Sequence, residues 1–144
     1  MSNKYLVTGV AGFIASQVSK QLLDQGDHVV GVDNLNDYYD VRLKKWRLEQ
    51  LKAHPNAENF TFSHLDIEDQ VTLFDILHSE GPFDAVLNLA ARAGVRYSLE
   101  NPHVYLSTNA EGTLNLLECM RAQGCNKLVL ASTSSLYAGQ KMPF

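Results

Sequence analysis

The sequence predicts an α/β fold, a doubly wound parallel sheet built as one domain over residues 1–144, and three observations carry that expectation. Five short apolar runs alternate with segments of helical periodicity, a glycine-rich turn follows the first run, and a carboxylate closes the second. Parallel neighbours require crossover connections, and strands covered on both faces read as near-continuous apolar runs, so the alternation fits such a sheet.

The first strand is expected at residues 5–7, bounded by Lys4 and by Thr8-Gly9. Ile14, Val18 and Leu22 then recur at helical spacing as far as Gly26. A second strand follows at 28–32, and a second helix carries Val41, Trp46 and Leu51 with charges between them. Its basic residues Arg42, Lys44, Lys45 and Arg47 are flanked by Asp37, Asp40 and Glu49, which reads as a solvated helix face rather than an anion patch. The third strand is expected at 60–62, with Val71, Phe74 and Leu77 marking the next helix. The fourth is expected at 85–89. Leu106, Ala110, Leu114, Leu117 and Met120 then predict one long helix over 104–123, and the fifth strand falls at 127–131. Gly26, Gly81-Pro82 and Gly124 stand where C-capping glycines belong.

A chain of 144 residues fits a single core, and 45% apolar with 19% charged residues is an ordinary globular composition. With a net charge of −4, no nucleic-acid partner is expected. Cys119 and Cys125 match neither a redox nor a zinc pattern, so both are expected as reduced thiols, and the five histidines lack metal-ligand spacing. No stretch approaches the roughly 20 apolar residues of a membrane span, so a soluble cytoplasmic protein is expected, without a metal.

Thr8-Gly9-Val10-Ala11-Gly12-Phe13-Ile14-Ala15 is a GxxGxxA arrangement between the first strand and the first helix. In that context Gly9 permits a tight turn. Gly12 lets backbone approach a pyrophosphate held by N–H groups and the helix dipole, and Ala15 replaces a packing glycine with the smallest side chain available. Asp33 ends the second strand roughly 20 residues on, where a carboxylate accepts from ribose hydroxyls and repels a 2′-phosphate. That reading makes the domain a Rossmann NAD-binding unit that prefers NAD to NADP. The alternative is that Asp33 only caps the next helix, and Phe13 and Ile14 carry the alternative of being plain core.

The stretches TGVAGFIAS (8–16), VDNLNDYYDVRLK (32–44), LAARAGVRYSLENP (89–102), NAEGTLNLLE (109–118) and LVLASTSSLYAG (128–139) resemble the extended short-chain dehydrogenase/reductase superfamily and, within it, the nucleotide-sugar epimerases. NDYYD followed by AGVRYSLENP looks most like the UDP-glucuronate 4-epimerases. The resemblance implies that Gly9, Gly12, Phe13 and Ile14 line the pyrophosphate and that Asp33, Asn34 and Asn36 meet the adenosine ribose. It implies that Asp66 and Ile67 hold the adenine, although Asp66 could equally be a helix N-terminal acid. Leu89, Ala90 and Ala91 would pass under the cofactor, and Asn109 would order that neighbourhood. Thr133 matches the catalytic Ser/Thr, while Arg92, Arg96 and Ser134 are the candidates to meet a charged sugar nucleotide.

In such a family a Tyr-x-x-x-Lys pair completes the chemistry: the sugar is oxidised at C4 by NAD, rotates, and takes the hydride back on its other face. Tyr137 and Lys141 have that spacing, but in a Gly-containing segment they would not stack as a helical i, i+4 pair does. The working pair and the substrate domain are therefore expected beyond Phe144, leaving this chain as the cofactor half of an epimerase for a UDP-hexuronic acid, inactive alone. Two alternatives stand beside it: the cofactor half of a 4,6-dehydratase or decarboxylase, and a non-catalytic nucleotide-binding module. Thr133-Ser134-Ser135 speaks against a dehydratase, where acidic residues follow the threonine. Family members dimerise through helices, one of which would be 104–123, so a homodimer with weak or altered association is expected.

Overall fold

Along the first strand Leu6 and Val7 face opposite sides of the sheet, and each is the seed of a separate core layer. The computed structural model describes residues 2–143. In chain order it contains β1 (Lys4–Thr8), α1 (Phe13–Asp24), β2 (His28–Asp33), α2 (Val41–Lys52), β3 (Phe60–His64), α3 (Gln70–Glu80) and β4 (Ala85–Asn88). There follow α4 (Val95–Glu100), α5 (His103–Tyr105), a π-helical segment (Leu106–Glu111), α6 (Gly112–Gln123), β5 (Leu128–Leu130) and a closing 3-10 turn (Ser134–Tyr137).

The five strands form one sheet in the order β3-β2-β1-β4-β5, and all four pairings are parallel. On one face Leu6, Val30, Val32 and Val86 pack with Leu73 and Leu77 of α3 and Leu116, Cys119 and Met120 of α6. On the other, Val7, Val10 and Val29 pack with Ala15 and Leu23 of α1 and Leu48 and Leu51 of α2. This is the doubly wound parallel sheet of a Rossmann domain. Each fully buried leucine contributes about 1.5–3 kcal/mol to it. Gly31 is required inside β2, because a Cβ there would lie 2.7 Å from Val10 Cγ2.

Successive strands step one way through β1, β2 and β3 and the other way through β4 and β5. The reversal falls between β1 and β4, where the loops after Thr8 and Asn88 part and open a crevice at the strands' carboxyl ends.

Several expectations are corrected. Lys44 does not join a solvated face: it is 4% exposed, whereas Arg42 and Lys45 remain outside. Its four-carbon stem crosses the apolar side of α2 and brings the ammonium to an acid beneath. Gly124 ends α6 in the left-handed region with φ 72°, and Gly81 also ends α3 as expected, its N–H donating to the Leu77 carbonyl at 2.9 Å from an extended backbone. The long helix 104–123 is interrupted by the π segment, and α4 stands where a loop was expected. Phe13 and Ile14 are 72% and 63% exposed, so they are not core.

Candidate functional site

The glycine turn is built around two forbidden Cβ positions. Gly9 has φ +67°, and a Cβ on it would lie 2.9 Å from the Ala90 Cα across the switch point. Gly12 donates its N–H to the Gly9 carbonyl at 2.7 Å, and a Cβ on Gly12 would meet that same oxygen at 2.8 Å. Gly12 therefore serves the turn itself as well as leaving the floor bare. It starts α1 without a capping side chain, and the first turn holds no acid, so the helix presents uncapped N–H groups and the positive end of its dipole to the crevice.

Asp33 closes β2 beside this turn, 7% exposed. Its Oδ2 accepts from Ala11 N at 3.1 Å, and its Oδ1 accepts from Leu35 N at 2.8 Å and from Lys44 Nζ at 3.4 Å. The capping alternative falls, because the N-cap of α2 is Asp40, which accepts from Arg42 N at 2.9 Å. Leu35 holds φ +50°, a left-handed conformation that a leucine adopts only when its surroundings impose it. Asn34 donates to Asp66 at 2.6 Å and accepts from Asn36 Nδ2 at 2.6 Å, which ties the loop after β2 to the loop after β3. Asp66 is likewise no helix cap: Asp69 caps α3, accepting from Thr72 N at 3.1 Å.

Gly9, Gly12, Asp33, Asn34, Asn36, Asp66, Ile67, Leu89, Ala90, Ala91 and Arg92 line one cleft together, joined by Lys44, Tyr38 and Tyr39. An adjoining cleft contains Ala90, Ala91, Arg92, Asn109, Thr133 and Ser134. Phe13, Ile14 and Arg96 line neither. Ile67 contributes to the core as well, where its Cδ1 fills the notch above Gly112, 2.7 Å from where a Cβ would stand.

The loop after β4 is held by Asn109, which the sequence singled out, and by Thr8 and Asn88, which it did not. Thr8 Oγ1 donates to Asn88 Oδ1 at 2.7 Å and accepts from Leu89 N at 3.1 Å and Ala90 N at 3.0 Å. Asn88 in turn donates to Thr113 at 3.0 Å. Asn109 brackets Arg92 reciprocally, accepting from its N–H at 2.8 Å and donating to its carbonyl at 3.1 Å. The phenols of Tyr38 and Tyr105 both donate to the Ala93 carbonyl, at 2.8 and 2.9 Å, beside Gly94 with φ +101°. Desolvation, reinforced by Tyr38, pushes the Tyr105 phenol above its usual 10.0. The available signal was small polar residues ending two neighbouring strands at Thr8 and Asn88.

Thr133 follows β5 and is exposed; its Oγ1 accepts from Ser135 N and donates to Ser135 Oγ, both at 3.1 Å. Tyr137 ends the 3-10 turn and Gly139 follows at φ +78°, so Tyr137 and Lys141 do not share a helix. Among the described residues there is no group of three His, Cys, Asp or Glu able to hold a metal, and no helix long and apolar enough to cross a membrane. Cys119 and Cys125 are both free thiols, Cys119 buried.

A bare glycine floor under an uncapped helix start, a buried carboxylate beside it, and a switch point between β1 and β4 together fit an extended dinucleotide. The sequence matches the family described as GDP-mannose 4,6 dehydratase over residues 6–143. The chain belongs to that family. It is 59% identical over 140 residues to a UDP-glucuronate 4-epimerase of Thermodesulfobacterium geofontis, covering 97% of this chain and 42% of the relative. A probable UDP-glucuronate 4-epimerase of Rhizobium meliloti is 44% identical, with 98% and 40% covered. Among solved structures, a UDP-glucose-4-epimerase from Stenotrophomonas maltophila with bound NAD and formylated UDP-arabinopyranose superposes with a TM-score of 0.82 at 32% identity, over 97% of this chain and 40% of that one. A UDP-glucuronic acid 4-epimerase variant from Bacillus cereus, in complex with NAD and UDP-4-deoxy-4-fluoro-glucuronic acid, gives 0.80 at 32%, over 98% and 43%. The chain thus spans about two fifths of the length of the curated relatives it matches.

Proposed function

We propose that residues 1–144 bind NAD as the cofactor portion of an enzyme that inverts C4 of a UDP-hexuronic acid. The observation that carries the reading is Asp33, buried at the end of β2 and lining the same cleft as the Gly9–Gly12 turn at the sheet's switch point. The α1 N–H groups would hold the pyrophosphate, Asp33 with Asn34 and Asn36 the adenosine ribose, and Asp66 with Ile67 the adenine. Leu89, Ala90 and Ala91 would form the floor beneath the nicotinamide half, fixed by Thr8 and by Asn109. Reversible hydride acceptance is the chemistry that NAD supplies when bound.

Thr133, Ser134 and Arg92 meet in the adjoining cleft and are the residues proposed to face the sugar nucleotide, with Arg96 of α4 joining them by a movement of its side chain or of that helix. The Thr133 hydroxyl would exchange Ser135 for a sugar oxygen. An arginine fork suits a carboxylate or phosphate. Hydroxyls rather than carboxylates follow Thr133, which supports epimerisation over dehydration.

Calorimetry with NAD tests the reading. NAD should bind the wild-type chain, and Asp33→Asn, which removes a charged acceptor, should weaken it by roughly 1.5–3 kcal/mol, one to two orders of magnitude in Kd. A folded wild-type chain that takes up no NAD would sink the proposal. Because Tyr137 and Lys141 do not share a helix, the chain incubated with NAD and UDP-glucuronate should form no C4 epimer; its appearance by chromatography would return that pair to the mechanism.

A further inference from the structure

The dinucleotide reading gives Lys44 no task, yet Lys44 is the one lysine buried in the cleft wall among the described residues. Its Nζ lies 3.4 Å from Asp33 Oδ1, 3.4 Å from Asn36 Oδ1 and 5.2 Å above the Tyr39 ring. A lysine drawn out of water needs an anion or equivalent acceptors, and this one has both. The ribose end of the cleft therefore presents Asp33 as half of an ion pair with Lys44, with Asp66 as a second carboxylate held by Asn34, not a bare carboxylate at Asp33.

That pairing changes how the cleft discriminates between cofactors. A 2′-hydroxyl donates a hydrogen bond and finds an acceptor in Asp33. A 2′-phosphate carries about −1.5 to −2 charge and only accepts, so it meets repulsion from Asp33 and attraction from Lys44 at nearly the same place. With Lys44 offsetting Asp33, loss of the Asp33 charge alone shifts this balance toward the phosphate.

We propose that Lys44 is a specificity-determining residue: a cation already built into the ribose wall, held in place by Asp33, that takes a 2′-phosphate once the carboxylate is neutralised. Of the other cations nearby, Arg92 also lines the cleft, but from the loop after β4, where its Nε donates to Thr108 Oγ1 at 3.5 Å. Arg42 pairs with Asp40 on the surface, and Arg47 donates to Ala11 O at 3.3 Å and Tyr39 Oη at 2.9 Å without lining the cleft. The inference rests on the proposed NAD site, and its test separates the two.

NAD and NADP binding are measured by calorimetry for wild type, Asp33→Asn, Lys44→Met and the double variant, each checked for folding by circular dichroism. Wild type should bind NAD at least about tenfold more tightly than NADP. Asp33→Asn should lose NAD affinity and gain roughly tenfold or more for NADP, the worth of one charge-assisted contact. Adding Lys44→Met should erase that gain, returning NADP affinity to within about threefold of wild type. If Asp33→Asn gains nothing for NADP, or its gain survives in the double variant, the role of Lys44 is overturned and the NAD site stands. Absence of NAD binding to wild type overturns the site, and the inference with it. Should Asp33→Asn fail to fold, Lys44→Met alone decides: the preference for NAD over NADP should widen by about tenfold, and an unchanged ratio refutes the proposal.

Discussion

Gly9 is constrained from two sides, by a left-handed backbone and by the Ala90 backbone pressed against it, and no other residue type meets both demands. Cys119 carries a different kind of constraint. It is fully buried on the inner face of α6, and burial pushes its thiol from the ordinary 9.0 up to about 11. The unfolded chain therefore releases this proton at lower pH than the folded one. Stability from this group is intact below pH 9, declines as pH rises toward about 11, and then flattens, a loss of roughly 2–3 kcal/mol. Thermal melts between pH 8 and 11 should show this slope in wild type and a shallower one in Cys119→Ala; equal slopes would refute it. Residue by residue, the sequence made Gly9, Gly12 and Asp33 legible because their chemistry depends on spacing within one turn and its neighbouring strand. Lys44 was not legible. A lysine among charges on an amphipathic helix has the same pattern whether its head points to water or folds back along the stem to a buried acid.

At the scale of elements, the π segment gathers side chains that a plain helix would spread around its circumference. Thr108 donates to Glu68, Asn109 brackets Arg92, and Thr113 accepts from Asn88, so one helical run grips the loops after both β3 and β4. Asn115 completes the grip, donating to the carbonyls of Ile67 at 3.0 Å and Glu68 at 3.2 Å. Asn115→Leu conserves volume but strands the buried Ile67 carbonyl and frees the half-buried Glu68 carbonyl, so it should cost about 1–3 kcal/mol. A domain of this size then melts lower by about 2–4 °C per kcal/mol, and an unchanged melting temperature would show that the grip is not structural. Hydrophobic periodicity located five strands and the main helices, but it could not register an extra residue in one helical turn, since the apolar positions on either side still alternate plausibly. The six residues of α4 are too few to display a period at all. The first three strands were read short for a related reason: Lys4, Thr8, Asp33 and His64 are polar, yet they belong to the ladder, whereas β4 and β5 were read long, by Leu89 and by Lys127 and Ala131.

At the scale of the whole molecule, the helical run that ends in α6 carries apolar side chains on two sides. The inward face of α6 buries Leu116, Cys119 and Met120, whereas Leu106, Leu114 and Leu117 remain 65%, 56% and 43% exposed and, with Ala110, form a stripe along the outer side of the same helical run. Single exposed leucines need no explanation, but an aligned row on one helix is the pattern of a helix–helix interface. A second copy of the chain offers the same stripe, and two-fold pairing sets each row against its equivalent, so closed dimers satisfy the surface without leaving a repeat that could polymerise. Homodimerisation through this face is therefore expected, with affinity limited by the small area that one helix per subunit contributes. Light scattering and sedimentation across a concentration series should show a monomer–dimer equilibrium, and Leu114→Glu with Leu117→Glu should abolish it while leaving the melting temperature and NAD affinity near wild type, because neither residue enters the core clusters or the cofactor cleft. A wild-type chain that stays monomeric at every concentration would rule out this interface.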